Sequence, residues 1–119
     1  MSNKRYINQI QFNSSNPNNL INSVYDYLNK KDFKQISVNN ETFFANNTLN
    51  QFNWVLCLKV FFNGNVAFIE GWLVGPNMVR EPNFNKEYGL DGMYGNLWRP
   101  ISMLKAVISD VESLINQEK

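Results

Sequence analysis

The dipeptide Asn63-Gly64, set between two long apolar runs, constrains this chain more than any other feature. Residues Trp54 to Phe62 and Asn65 to Val74 flank it, and Asn-Gly suits a two-residue type I′ turn because both turn positions want positive φ. The two runs are therefore expected to be a β-hairpin. With Phe62 paired to Asn65, Val60 faces Ala67, Leu58 faces Ile69 and Trp54 faces Leu73, which makes one side of the hairpin apolar and assigns it to the core. The other side then collects Phe61 against Val66, Lys59 against Phe68, Cys57 against Glu70 and Val55 against Trp72, with Lys59 and Glu70 on a diagonal.

Period-two alternation continues elsewhere. Tyr6, Ile10 and Phe12 share one side of a first strand. Ile36 and Val38, then Thr42-Phe43-Phe44 after the polar Asn39-Asn40-Glu41 turn, give two short strands ending near Ala45, with a loop from Asn46 to Asn53. Between the first and second strands the period changes. Leu20, Ile21, Val24, Tyr27 and Leu28 recur at helical spacing after Asn16-Pro17, which offers an N-cap side chain and a proline preset for the first turn. A second amphipathic stripe, Ile101, Leu104, Ile108, Val111 and Ile115, follows Pro100. The order is strand, helix, four strands, long loop, helix. It predicts a two-layer α+β domain: an antiparallel sheet with both helices on one face, Leu20, Val24, Leu28, Leu104, Ile108 and Val111 meeting Leu56, Leu58, Val60 and Ile69.

The segment from Val74 to Leu97 has a different texture. Gly75-Pro76, Pro82, Gly89, Gly92 and Gly95 interrupt Met78, Phe84, Tyr88, Met93 and Tyr94, which reads as an ordered loop folded back on the body. At 119 residues, 44% hydrophobic, the chain can build one core without disulfides or metals, and a single domain spanning 1–119 is expected. Roughly one residue in six is asparagine, placed between the patterned segments where it serves turns.

Composition excludes several functions. The chain has no histidine and a single cysteine, so the usual general base, the usual zinc ligand and the cysteine-histidine and serine-histidine nucleophile systems are all missing. No metal, no cofactor and no catalytic residue is expected, and the chain reads as a non-enzyme. Cys57, inside a strand with only Lys59 as a near cation, reads as a buried inert thiol. Glu87 and Asp91 lie four apart beside glycines, but Asp91-Gly92 is a turn pair and the two carboxylates are too few for a calcium loop. The net charge is +1 with no dense basic face, which disfavours nucleic acid as a partner. No apolar stretch is long enough for a membrane segment, and one cysteine permits a reducing compartment, so a cytoplasmic location is expected.

The stretch Glu87-Tyr88-Gly89-Leu90-Asp91-Gly92-Met93-Tyr94-Gly95, followed by Pro100-Ile101-Ser102-Met103-Leu104-Lys105, resembles an E-x-G-[LI]-D-G-x-x-G motif before the last helix in small uncharacterised proteins of Gram-positive bacteria. The resemblance extends to the Val66–Trp72 strand and covers the last half of the chain. It implies a strand-helix-strands-helix module and carries no activity. The chain departs from those proteins in having no membrane segment and in its Trp98-Arg99 pair. Its element order is also similar to the TATA-binding-protein-like and helix-grip arrangements, a likeness of fold that does not transfer function.

Two readings of function follow. The first is a non-enzymatic binding or protein-interaction module that captures a protein partner or a second copy of itself. The second is a helix-grip-type binder of a small apolar ligand, enclosed between sheet and last helix. Candidate binding residues are Phe61, Phe68, Trp72, Lys59 and Glu70 on the hairpin, and Tyr88, Asp91, Tyr94 and Trp98 in the glycine-rich segment. Aromatics beside a few charges resemble the residues that dominate interfaces.

Overall fold

The computed structural model describes residues 5–48, 54–76, 81–90 and 98–117. Six strands form a single antiparallel sheet: β1 (Tyr6–Gln11), β2 (Lys34–Val38), β3 (Glu41–Thr48), β4 (Trp54–Asn63), β5 (Val66–Pro76) and β6 (Pro82–Tyr88). Helix α1 (Pro17–Lys30) follows β1 and helix α2 (Trp98–Asn116) ends the fold. The spatial order is β1-β5-β4-β3-β2, so α1 carries the chain across the sheet from one edge to the other. Both β1 and β6 pair with β5, β1 along Val66 to Gly71 and β6 from Leu73 to Pro76. The two therefore lie end to end along one border of β5.

Local chemistry sets the elements. Pro17 takes the first helical position of α1, while Asn16, expected to cap with its side chain, makes no such bond; instead the Ser14 hydroxyl accepts from the Asn16 N–H. At the other end Asp32 adopts φ 65°, and the N–H groups of Phe33 and Asp32 donate to the carbonyls of Leu28 and Asn29. That is a Schellman closure, with an aspartate where glycine is usual and Phe33 buried beyond it. Asn39 and Asn40, both at positive φ, make the tight turn from β2 to β3.

The stripes of both helices and one sheet face form one apolar cluster. It joins Leu20, Val24 and Leu28 of α1 and Ile101, Leu104, Ile108, Val111 and Ile115 of α2 to Leu56, Leu58, Val60, Ala67, Ile69 and Leu73. The helices also touch each other. Tyr27 on α1 donates its hydroxyl to Asp110 on α2, and Asn46 Nδ2 donates to the Lys31 carbonyl at the end of α1.

Four expectations need correction. Strand β3 does not stop at Ala45 but runs on to Thr48, because Asn46 is held against α1 by that bond and pairs with Leu56. The segment read as one long loop contains β6, which finds backbone partners on the border of β5 that β1 leaves free. Residues 77–80 and 91–97 of that segment lie outside the described residues. Helix α2 begins at Trp98, ahead of Pro100. The hairpin turns on Gly64-Asn65, so Asn63 pairs with Val66. Gly64 alone has positive φ, the requirement of a type II′ turn with glycine first. This moves the register by two residues, which keeps every side chain on its expected face and changes its partner: Lys59 stands opposite Glu70, Phe61 opposite Phe68 and Cys57 opposite Trp72.

Candidate functional site

Among the described residues no helix covers the second face of the sheet, and that face divides into three regions. Where β3, β4 and β5 approach β6, Phe43, Val55, Cys57, Trp72 and Val74 are buried in a second apolar cluster, flanked by Ile36, Val38, Ala45 and Phe84. Phe43 meets Trp72 edge-on at 5.0 Å between centroids and Phe84 at 6.1 Å. Trp72, placed on the binding surface by the sequence, is only 1% exposed and belongs to this small core. Sequence alternation placed it on the correct face; what it lacked was any sign of the strand and side chains that cover it.

Beside that cluster lies an ionic cage built on Arg5, just ahead of β1. Its guanidinium stacks over Trp72, 3.6 Å from the ring centroid. Nε and Nη2 donate to the two oxygens of Glu87 at 2.8 and 2.6 Å. Nη1 and Nη2 donate to the two oxygens of Glu41 at 2.7 and 2.8 Å, and Nη1 reaches Glu70 at 3.2 Å. Lys59 Nζ adds a contact to Glu41 at 3.0 Å. Glutamates from β3, β5 and β6 thus converge on one fork-shaped cation, the geometry that guanidinium serves and ammonium does not. The Arg5 bonds, then the Lys59 bond, hold the Glu41 carboxyl down at about 2 against the cost of burial, and the Glu41 bond leads in raising Arg5 well above its ordinary value. These carboxylates are occupied as ion-pair partners. Burial pushes the Cys57 thiol up, with Glu87 adding to it, so it is a poor nucleophile. Among the described residues, no group of three or more His, Cys, Asp or Glu side chains is arranged to hold a metal ion.

The third region, toward the hairpin turn, is open. Phe61 and Phe68 stack face to face, centroids 4.7 Å apart and planes 7° from parallel, and Lys59 Nζ sits 5.3 Å from the Phe61 ring. Phe61 is 39% exposed, and Ile7 on the neighbouring strand β1 is 66% exposed. Ile7 pairs with Glu70 and Gln9 with Phe68, so Ile7 lies one diagonal from Phe68.

Of the candidate residues, Phe61, Phe68, Lys59, Glu70 and Trp72 do share one face. Tyr88 does not join them. It stands opposite Leu73 and packs edge-on against Trp54 at 4.9 Å, on the helix side, because register with β5 gives it the face of Leu73. Asp91 and Tyr94 lie outside the described residues, and Trp98 is the first residue of α2. Sequence reasoning missed Arg5, Glu41 and Ile7, and it weighed Glu87 only as a pair with Asp91 and set it aside. Ile7 carried a signal, being the one isoleucine of β1 out of phase with Tyr6, Ile10 and Phe12.

A separate polar groove runs along the outer side of β1. It is lined by Asn8, Gln9 and Gln11 with Glu112 and Asn116 of α2, among others. Tyr6 Oη and Asn8 Nδ2 both donate to Glu112 Oε2 at 2.6 Å, and burial together with Glu112 raises the Tyr6 hydroxyl to about 12. Among the described residues no helix is long and apolar enough to cross a membrane. Comparison of the chain with protein-family models, with curated proteins and with solved structures gives no match in any of the three.

Proposed function

We propose that this chain is a non-enzymatic protein-interaction module that meets its partner through the open end of the uncovered sheet face, at Ile7, Phe61 and Phe68, with Lys59 at the rim. The observation that carries this reading is the exposed Phe61–Phe68 stack. Two aromatic rings held rigid by strand pairing lose little entropy on binding and offer apolar area beside a charge, the composition that dominates protein interfaces. The Arg5 cage fixes the neighbouring strands, so the surface is formed before any partner arrives, which lowers the cost of association. A cytoplasmic setting belongs to the same proposal, since the only thiol, Cys57, is buried and makes no disulfide.

The apolar-ligand reading has less support. Between sheet and helices the space is filled by buried side chains, and α2 lies so close to β5 that a Cβ at Gly71 would come within 2.7 Å of Ile108 Cδ1. The groove beside β1 is polar, not the apolar pocket such a ligand needs.

The test is affinity capture with the wild-type chain and with a Phe61→Ser, Phe68→Ser double variant, alongside circular dichroism of both. The reading expects a folded variant that no longer retains the protein held by wild type. Equal retention by both, or a variant that unfolds because the stack is structural, would refute it.

A further inference from the structure

The three glutamates of the Arg5 cage are not equally served. Both oxygens of Glu41 and both of Glu87 accept bonds from Arg5, and Glu41 takes Lys59 as well. Glu70 has a single contact, from Arg5 Nη1 to its Oε1 at 3.2 Å, the longest in the cage. Strand register sets Lys59 directly opposite Glu70, yet the ammonium turns to Glu41 on β3. Among the described residues Glu70 Oε2 is therefore left without a bonded partner. No buried side-chain nitrogen or oxygen among them lacks one, so this atom is reached by water. The charges do not balance either. Arg5 and Lys59 bring two positive charges against three carboxylates, which leaves one negative charge on this part of the face.

Glu70 stands where that charge meets the open aromatic patch. Ile7 faces it across β1, Phe68 lies two residues before it on the same side of β5, and Phe61 stacks on Phe68. The Phe12 N–H bond to the Asn65 carbonyl fixes the alternation along β1 and β5. It puts Ile7 and Glu70 at a position where the strands exchange no backbone bonds and opposite side chains come closest. We propose that the open face takes a segment whose apolar side chains cover Ile7, Phe61 and Phe68 and whose arginine donates to Glu70 Oε2. This inference rests on the open-face reading and names the chemistry of its partner.

Charge complementarity selects the cation. One more positive charge brings the cage to three of each sign, whereas a polyanion such as nucleic acid or an acidic lipid surface would set phosphates against the glutamates. The face itself shows how a cation is held here: the Arg5 guanidinium lies over the Trp72 ring while its nitrogens bond the carboxylates of Glu41 and Glu87. Phe68 and Glu70, next along the same side of β5, repeat that pairing of ring and carboxylate. The nearest described cation, Lys59, sits over Phe61 and is bonded to Glu41. Arginine suits this seat better than lysine, because a guanidinium is weakly hydrated and rests against apolar surface while it donates. Ile7, at 66% exposure the most exposed large apolar side chain among the described residues, supplies such surface beside Glu70.

The probe is a blocked tripeptide, leucine-arginine-leucine, titrated into the full chain and followed by amide and side-chain carboxyl shifts in nuclear magnetic resonance. Its comparator carries citrulline, which keeps the shape of arginine and loses the charge. The arginine peptide is expected to shift Ile7, Phe61, Phe68 and Glu70 saturably and to bind about fivefold tighter than the citrulline peptide, a margin that narrows at high salt. The Glu70 carboxyl should move with the arginine peptide alone, and that readout decides should the next variant not fold. Glu70→Gln should bring the two peptides to equal affinity, whereas Asp26→Asn, the same charge change at an exposed position of α1, should keep the margin. Phe61→Ser combined with Phe68→Ser should abolish binding of both. Equal affinity of the two peptides for wild type overturns the proposal, as does a margin that survives Glu70→Gln or an arginine-dependent shift centred elsewhere. If both peptides meet the face equally, the open-face reading stands without this one; if neither does, this one falls and affinity capture alone decides the other.

Discussion

Replacing Arg5 with methionine keeps an unbranched apolar stem over Trp72 and removes the guanidinium, leaving Glu41, Glu70 and Glu87 facing one another. The native group makes five hydrogen bonds to these carboxylates. A bond to a charged partner contributes about 1.5–3 kcal/mol, but five such values do not add when one cation serves them all. The better guide is truncation of one partner of a buried ion pair, about 3–5 kcal/mol. The cage is only partly buried, with side-chain exposures of 18% for Arg5 and 21–28% for the glutamates, so solvent lowers the figure toward about 3 kcal/mol. For a chain of this size that corresponds to a melting point lower by about 10 °C. The loss should depend on pH. Arg5 is the main cause of the lowered Glu41 value, so the stabilisation is complete above the ordinary carboxyl value of 4.5 and disappears as pH falls through about 2. Urea unfolding of wild type and Arg5→Met at neutral pH and at progressively lower pH measures both effects, and Arg5→Lys, which keeps charge without the fork, should fall between them. A loss below about 1 kcal/mol at neutral pH, or one that does not shrink on acidification, would refute the reasoning.

The two faces of the sheet should respond differently to truncation. Leu58→Ala or Leu104→Ala, both fully buried between sheet and helices, should each cost about 2–5 kcal/mol in chemical denaturation. Trp72→Ala should cost about 3–5 kcal/mol despite lying on the face turned away from α1 and α2, whereas Phe61→Ser should stay within about 1 kcal/mol of wild type. Cys57 should resist thiol reagents in the native protein and react only as fast as the chain unfolds, which stopped-flow labelling across a denaturant series would read out.

The helix stripes, the strand faces and the single-sided placement of both helices were legible because they rest on periodicity, and burying two apolar stripes against one sheet face leaves few arrangements. What escaped was structure held by partners remote in sequence. Strand β6, Pro-Asn-Phe-Asn-Lys-Glu-Tyr, has no clean alternation and opens on a proline. It exists because β5 outruns β1 and offers free backbone groups, and an edge strand tolerates proline at its first residue. Arg5 likewise looked like one of a scattered set of cations. Its meaning comes from Glu41, Glu70 and Glu87, which lie 36, 65 and 82 residues away in sequence.

The hairpin shows where local preference yields to pairing. A turn on Asn63-Gly64 satisfies a strong two-residue preference, but it would set Lys59 against Phe68 and Cys57 against Glu70, a charge facing a ring and a carboxylate facing a buried thiol. Moving the turn to Gly64-Asn65 still places glycine where positive φ is required, and it sets Phe61 on Phe68 and Lys59 opposite Glu70. Cross-strand pairs each contribute about 0.2–1 kcal/mol, and several acting together outweigh the difference between two glycine-containing turns. Because the displacement is two residues, the period of a strand, the core is untouched and only the uncovered face is rewritten. Hence the sequence assigned Phe61, Phe68, Lys59, Glu70 and Trp72 to the right surface while misplacing each one's neighbour. An exposed aromatic stack and a tryptophan sealed beneath an arginine differ in cross-strand partner and in what Arg5 and β6 lay over them, and neither is written in the alternation.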